Sequence, residues 1–351
     1  SGTPTSNISP VRQAQGEPPA SQDPAWARVM EAAKKEGRLS IYSISFTGDV
    51  GLATAKAFQD RYGITLDVVS GRGAAFIERI KTEIRIGQVV ADIMESSSGH
   101  TFNLKATGGT VNSSDIPVLR EKDAWWVDPL ISDSEGHLLV HKAYYLSPWV
   151  NTNFIRPGQE PKSYRDLAKP EWKGKILMSD PSISESGYSV FLLLVDRGYL
   201  DIDFVRSLGG QGIKFAPGTL DVVRALARGE ELFGLAATDS DADPFLAQGA
   251  PIRAIAMEEG TRVSPSAMIR VKDSPHPNAA KLFLNWILGG DGQMVFSRVA
   301  GLASVRKDVP DFRQPAAAVV PKRLIVPTEQ DVERAAKAFQ DKWLVELWKK
   351  R

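Results

Sequence analysis

The chain has 351 residues, of which 42% are hydrophobic and 24% charged, with 22 prolines and 29 glycines. This length suffices for about two domains with their own cores, and the composition excludes a disordered, collagenous or miniature disulfide-rich protein. Because 43 Lys and Arg balance 42 Asp and Glu, the net charge is +1 and offers no basic field for nucleic acid. The absence of cysteine excludes thiol chemistry, disulfides and Cys-ligated metal centres.

The first 23 residues have few large apolar side chains and are rich in Pro, Ser, Gln and Gly. Such a stretch cannot bury enough surface to offset its ordering entropy, so we expect residues 1–23 to form a flexible tether. The sequence starts at Ser1 without an initiator Met, which fits removal of a secretory signal or, equally well, a cloning remnant.

From Pro24 onwards, helical and strand patterns alternate along the chain. Helical spacing covers 24–37, 48–63 and 74–87, and β-rich runs cover 39–45, 64–71 and 89–96. A similar alternation returns later, with strands predicted at 174–180, 213–217 and 232–238 and helices between them. Each series predicts a parallel sheet with helices on both faces.

Two further β-rich runs, 137–154 and 262–271, could cross from one half to the other. Two lobes joined by two crossings form a hinge and enclose a cleft. The predicted fold class is therefore α/β, with two doubly wound lobes joined by two crossing strands. We assign 24–145 and 266–312 to lobe 1, 146–265 to lobe 2, and 313–351 to a docked C-terminal extension with one helix from Glu329 to Arg351.

The common catalytic motifs are missing from the sequence. It contains no GxSxG elbow, no GxxxxGK[ST] loop and no GxGxxG with a trailing acidic residue, and its four histidines form no HExxH pair. No nucleophile, base and orienting group can be assembled, so we expect neither an enzyme nor a bound cofactor.

Small polar residues follow the predicted strands in five loops, at the edge where doubly wound sheets bind ligands. The N–H groups at the start of a following helix attract anions. Helix capping would explain the small polar residues of each loop separately, but it does not explain why such loops follow five of the predicted strands. The candidate ligand-binding residues are Ser43, Ser45, Arg72, Gly73, Ser97, Ser98, Ser184, Ser186, Gly187, Thr238, Asp239 and Asp241.

These loops differ in the chemistry that they offer. The loop 182–187 runs directly into a helix, so Ser184 and Ser186 could hold a carboxylate or phosphate oxygen, or could simply cap that helix. Asp239 and Asp241 favour a cation, an ammonium group or hydroxyl donors, or they form a capped, solvated turn. Arg72 is a candidate anion clamp or an ordinary surface cation.

Three segments of the chain resemble one protein family in their order and spacing. They are RIKTEIRIGQVVADIM (79–94), YRDLAKPEWKGKILMSDPSISESGYS (164–189) and AMIRVKDSPHPNAAKLFLNWILGGDGQMVFSRVAGLASVRKDV (267–309). Similar segments occur in the extracellular solute-binding proteins of ABC importers with the type II periplasmic binding fold. The resembling branch includes ferric-binding, hexose-phosphate, thiamine and aminoethylphosphonate receptors, and the resemblance covers roughly Trp26 to Phe312.

The resemblance implies a two-lobed receptor that closes on one solute and delivers it to an ABC permease in the membrane. It also implies a periplasmic or other extracytoplasmic location after loss of a signal peptide. We expect a monomer whose partners are a small solute and the permease, without nucleic acid. A binding protein that serves a sensor instead of a transporter remains an alternative.

Ferric-binding members carry a Tyr-Tyr pair after the last strand of the second lobe, whereas this chain has Asp239 and Ser240 there. This departure disfavours iron bound by tyrosinates, while iron or another hard cation held by Asp239 and Asp241 remains an alternative. We expect a small polar organic solute with a carboxylate or phosphate group, held by the serine loops.

Overall fold

The structure, a computed structural model, describes residues 23–349. Its strands are β1 (Arg38–Ser43), β2 (Thr65–Ser70), β3 (Ile93–Ser97), β4 (Thr110–Val111), β5 (Leu139–Asn151), β6 (Ile176–Ser179), β7 (Lys214–Ala216), β8 (Phe233–Thr238), β9 (Ile252–Ala254), β10 (Thr261–Val271) and β11 (Leu324–Ile325). Its helices are α1 (Pro24–Glu36), α2 (Gly48–Tyr62), α3 (Gly73–Arg85), α4 (Ser98–Ala106), α5 (Glu185–Asp196), α6 (Ile202–Ser207), α7 (Thr219–Ala227), α8 (Asp239–Ala247), α9 (Pro277–Leu288), α10 (Gly290–Ala300), α11 (Glu329–Gln340) and α12 (Trp343–Lys349).

The strands pair in the order β2-β1-β3-β10-β5-β8-β6-β7. β1 runs parallel to β2 and β3, and β6 runs parallel to β7 and β8. The long strands β5 and β10 are antiparallel to each other and to β8 and β3, so they join the two parallel halves. The predicted fold of two α/β lobes joined by two crossing strands is confirmed.

Each half has its own apolar core. Phe46, Phe58 and Phe283 pack edge to face in a cluster that α1, α2, α9 and α10 cover. Tyr164 and Phe191 lie in a second cluster with β6, β8 and α5. Burying each of these rings stabilises the fold by about 1.5–3 kcal/mol. Each half has a second cluster on the other face of the sheet. The exact lobe boundaries remain a proposal.

The C-terminal extension differs from the prediction of one helix. The chain turns at Lys342, whose φ is 49°, and this turn separates α11 from α12. α11 packs against both α4 and α5, whereas Trp348 of α12 donates from Nε1 to the carbonyl of Val205 at 2.7 Å. The predicted single helix is therefore wrong, because its two halves dock on different neighbours.

Asp23 does not belong to a loose tether, because its carboxylate accepts a hydrogen bond from the Ala25 amide at 2.9 Å and caps α1. The rest of the predicted tether, residues 1–22, lies outside the described residues. Within residues 23–349, every helix falls short of the length and apolar character that a membrane crossing demands.

Candidate functional site

The strand registers bring most of the polar loops to one region between the halves. In lobe 1, Ser43 lies opposite Ser70 and Glu95, so the carboxyl ends of three parallel strands share one edge. β10 then pairs Ser266 with both Ser97 and Lys142. In lobe 2, Leu146 of β5 pairs with Thr238 at the end of β8. The two edges therefore meet along the middle of β5 and β10.

A buried carboxylate organises the end of β1. Glu95 has no solvent exposure and accepts hydrogen bonds from the hydroxyls of Ser43 at 2.7 Å and Ser45 at 2.8 Å. The amides of Ile44 and Ser45 also donate to it, each at 3.1 Å. Ser43 and Ser45, two of the predicted ligand-binding residues, are thus already bonded to Glu95.

Lys142 and His141 on β5 stabilise the charge of Glu95, Lys142 as a cation and His141 as a hydrogen-bonding partner. Lys142 Nζ lies 4.0 Å from Oε1, and His141 Nε2 lies 3.0 Å from it. Burial alone would raise the pKa of Glu95, but Lys142, His141 and Ser43 stabilise the carboxylate and lower that pKa to about 2. Lys142 also donates to the Tyr144 hydroxyl at 2.6 Å. This edge of lobe 1 therefore presents no uncompensated negative charge from Glu95.

The starts of α3 and α4 converge beside this network. Gly73 is buried, and a Cβ there would collide with Ser96 Oγ and His100 Nδ1, so any larger residue would force these two side chains to move. His100 Nδ1 also lies 3.0 Å from Ser97 Oγ, and burial lowers the pKa of His100. Ser98 is 4% exposed and donates to the Pro265 carbonyl, which ties α4 to β10. The Arg72 side chain is exposed and makes no hydrogen bond or ion pair within residues 23–349, whereas its backbone carbonyl accepts from the Phe76 amide at 3.1 Å.

The start of α5 is the most open of the predicted loops. Ser184 is the N-cap residue, yet its side chain makes no capping hydrogen bond. The hydroxyls of Ser184 and Ser186 have no hydrogen-bond partner within the described part of the chain, and both residues are half-buried. A Cβ on buried Gly187 would lie 2.7 Å from the Ser179 carbonyl oxygen, so α5 approaches β6 too closely for a side chain. Free hydroxyls and uncapped N–H groups therefore coincide here.

The aspartate loop after β8 is arranged differently. Asp239 is 4% exposed, and its Oδ1 accepts from the amides of Tyr145 at 3.2 Å and Ser240 at 3.0 Å. Its Oδ2 lies 3.6 Å from Arg313 Nη1 of the C-terminal extension. Burial raises the pKa of Asp239 to about 6, although Arg313 opposes this rise. Asp239 is therefore engaged inside the protein.

The other residues of this loop serve local structure. Thr238 caps α8 by accepting from the Asp241 amide at 3.1 Å, and its hydroxyl lies 3.0 Å from that of Ser240. Asp241 is half-buried. Within residues 23–349 no group of three or more His, Asp or Glu side chains could hold a metal ion. A cation site on Asp239 and Asp241 remains a hypothesis without a third acidic or imidazole ligand in that part of the chain.

Sequence reasoning did not select Glu95, Lys142, Tyr144 or Arg262. Arg262 lies on β10 opposite Leu146, and its side chain is 10% exposed. Their one sequence signal is a charged or phenolic side chain inside a run that otherwise predicts a buried strand, which is β3 for Glu95 and a crossing strand for the other three. That signal indicates a polar side chain in a strand that is expected to be buried, but it does not indicate which lobe the side chain contacts.

A two-lobed α/β fold with polar strand ends facing a shared hinge is the architecture of a solute-binding receptor. The family description "bacterial extracellular solute-binding protein" matches residues 39–300, and the chain belongs to that family. The family consists of transport proteins that bind small solutes and deliver them to the permeases of ABC importers.

Solved structures show the same fold. An extracellular solute-binding protein of Bordetella parapertussis superposes with a TM-score of 0.71 at 20% identity, covering 90% of this chain and 99% of its own. Iron-bound HitA of Pseudomonas aeruginosa has a TM-score of 0.66 at 20% identity, covering 87% and 99%. AfuA of Actinobacillus pleuropneumoniae, with fructose-6-phosphate bound, has a TM-score of 0.60 at 20% identity, covering 89% and 97%. HitA and AfuA bind chemically different solutes, iron and fructose-6-phosphate, so the fold alone leaves the solute class open.

Proposed function

We propose that this protein is an extracytoplasmic receptor for a small polar organic anion with a carboxylate or phosphate group. It holds the solute in the cleft between the lobes and delivers it to an ABC permease. The observation that carries the proposal is the start of α5, where the hydroxyls of Ser184 and Ser186 have no partner within residues 23–349 and the N-cap side chain makes no bond. Free N–H and O–H donors at a helix start favour an anion.

The charges around the hinge support an anion over a cation. Lys142 and Arg262 lie on the crossing strands, while the carboxylates of Glu95 and Asp239 are each compensated by a basic side chain. A cation would have to compete with Lys142 and Arg313 for these carboxylates. An incoming anion meets hydroxyls, helix starts and cationic groups instead.

The location and assembly belong to the same proposal. We place the receptor in the periplasm or an equivalent extracytoplasmic compartment, since its family is extracellular. Closure on the solute would shift the population from an open to a closed form, because only the closed form lets both lobes contact the solute. A monomer suffices for this mechanism, because both walls of the cleft come from one chain.

The double variant Ser184→Ala/Ser186→Ala tests the proposal. Hydrogen bonds to an anion are worth about 1.5–3 kcal/mol each, so we expect affinity for the anion identified by screening to fall at least about tenfold by calorimetry. Ser207→Ala is the control, because that hydroxyl donates to the Phe204 carbonyl within α6, which is not one of the five candidate loops. Unchanged affinity in the double variant would remove the site assignment.

A further inference from the structure

Arg262 is a buried cation with unused hydrogen-bonding capacity. It lies on the crossing strand β10, opposite Leu146 of β5 and Ile325 of β11, and it is 8% exposed. Its guanidinium makes no hydrogen bond to any residue among 23–349, and Nε is fully buried without a partner. A guanidinium has five N–H donors, and burying it without acceptors is costly. The position therefore calls for an acceptor that the described chain does not provide.

One carboxylate lies near Arg262, and its contact is loose. Oε1 of Glu185 is 3.5 Å from Nη2, and the Glu185 side chain is 53% exposed. Asp331 of α11 is also close enough to affect the charge of Arg262, but two oxygens of Asp331 already accept from Arg197 at 3.0 and 2.5 Å. Burial lowers the pKa of Arg262, and Glu185 offsets only part of that effect. Glu185 is thus the main partner and a weak one.

The contact with Glu185 places the guanidinium beside the open start of α5. Glu185 is the first residue of that helix, between Ser184 and Ser186, whose hydroxyls are unbonded in the described structure. A carboxylate at a helix start satisfies part of the positive end of the helix dipole. Glu185 therefore stands where an external anion would meet the hydroxyls, the helix N–H groups and Arg262.

We infer that Arg262 binds the anionic group of the solute, and that Glu185 occupies this position until the solute displaces it. The inference rests on the proposed function and adds the residue that recognises the charge. An ion pair at 3.5 Å with a half-exposed carboxylate is easily exchanged. A carboxylate or a phosphate group can accept two parallel N–H hydrogen bonds from the guanidinium of Arg262. These bonds use donors that Glu185 leaves free.

The exchange predicts opposite effects for the two partners. Arg262→Gln should weaken binding of an anion at least about tenfold, and Arg262→Lys should weaken it less, since it keeps the charge but loses the planar fork. Glu185→Gln should tighten binding about threefold to tenfold, because it removes a competing negative charge. A purely structural role for the pair would not produce tighter binding.

The test uses calorimetric titration of the full chain with inorganic phosphate and with succinate. Arg253→Lys is the matched control, since Arg253 also has a buried unpartnered Nε and a Glu160 partner at 3.2 Å, but lies on β9 opposite Val150. We expect the control to bind as the wild type does. If the Arg262 variants do not fold, the half-exposed Glu185→Gln decides alone, and affinity that does not increase overturns the inference.

The outcomes separate this inference from the proposed function. If neither probe binds the wild type, the inference falls, and the proposed function falls as well only if no organic acid, phosphate ester or phosphonate raises the unfolding midpoint of the wild type. If a probe binds, and Ser184→Ala/Ser186→Ala weakens it while the Arg262 and Glu185 variants match the wild type, the site stands and the inference falls. Weaker binding in Arg262→Gln together with tighter binding in Glu185→Gln supports the inference.

Discussion

Replacing Glu95 by Gln tests how the hinge edge of lobe 1 is held together. The carboxylate accepts from two hydroxyls and two amides and faces His141 and Lys142 without solvent exposure. A Gln side chain offers one acceptor oxygen and points N–H donors at groups that are donors themselves. Lys142 would also lose the carboxylate 4.0 Å from its ammonium group.

The pKa of Glu95 sets the size of the effect. Its fall from 4.5 to about 2 corresponds to about 3 kcal/mol of stability. Because the pKa in the folded state lies below that of the unfolded chain, this stability is fully present above about pH 4.5 and is lost as the pH falls through about 2. Glu95→Gln should therefore lose about 3 kcal/mol at pH 7 and less at pH 2.5.

Urea unfolding at pH 7 and at steps down to pH 2.5 measures this change. Glu83→Gln is the control, because Glu83 is another buried carboxylate of lobe 1, bonded to the Tyr42 hydroxyl at 2.6 Å on the α3 side. We expect both variants to lose stability, and only Glu95→Gln to weaken solute binding as well. A loss below about 1 kcal/mol at pH 7, or a loss that does not shrink in acid, would refute the reasoning.

Two other positions give independent tests. Burial raises the pKa of Asp239 from 3.8 to about 6, so the free energy of unfolding should fall by about 3 kcal/mol as the pH rises from about 4 through 6. Asp239→Asn should abolish this fall in urea unfolding, and a fall that persists in the variant would contradict the argument. Gly187→Ala puts a Cβ 2.7 Å from the Ser179 carbonyl, so it should cost about 1–3 kcal/mol and weaken solute binding. Gly210→Ala has open space and should change neither property, and equal effects in the two variants would contradict the packing argument.

The fold was predictable wherever the spacing of apolar residues and the glycines that end helices indicate the same element boundaries. The strand after α1 and the helix from Gly48 follow from local pattern, and the crossing strands follow from two β-rich runs between the halves. The break at Lys342 was not predictable, because helical period continues through it and only the different docking partners of α11 and α12 require the turn.

The site was predictable in part, because serine-rich loops after strands are visible in the sequence. The roles of those serines were not visible, since Ser43 is bonded to Glu95 while Ser184 is free, and both follow similar local patterns. Glu95 and Arg262 depend on contacts between distant segments. Glu95 meets Lys142 across 47 positions of chain, and Arg262 meets Glu185 across 77, so no local pattern could identify either pair.

The most direct measurement is thermal unfolding of the metal-stripped wild type against organic acids, phosphate esters, phosphonates, polyamines, thiamine and ferric citrate, with citrate alone as the control for iron. A ligand at about 100 times its dissociation constant adds about 2.7 kcal/mol, which raises the midpoint by several degrees in a chain of this size. The account predicts that only anionic organic compounds raise the midpoint. Stabilisation by ferric iron alone or by cationic solutes alone would contradict it.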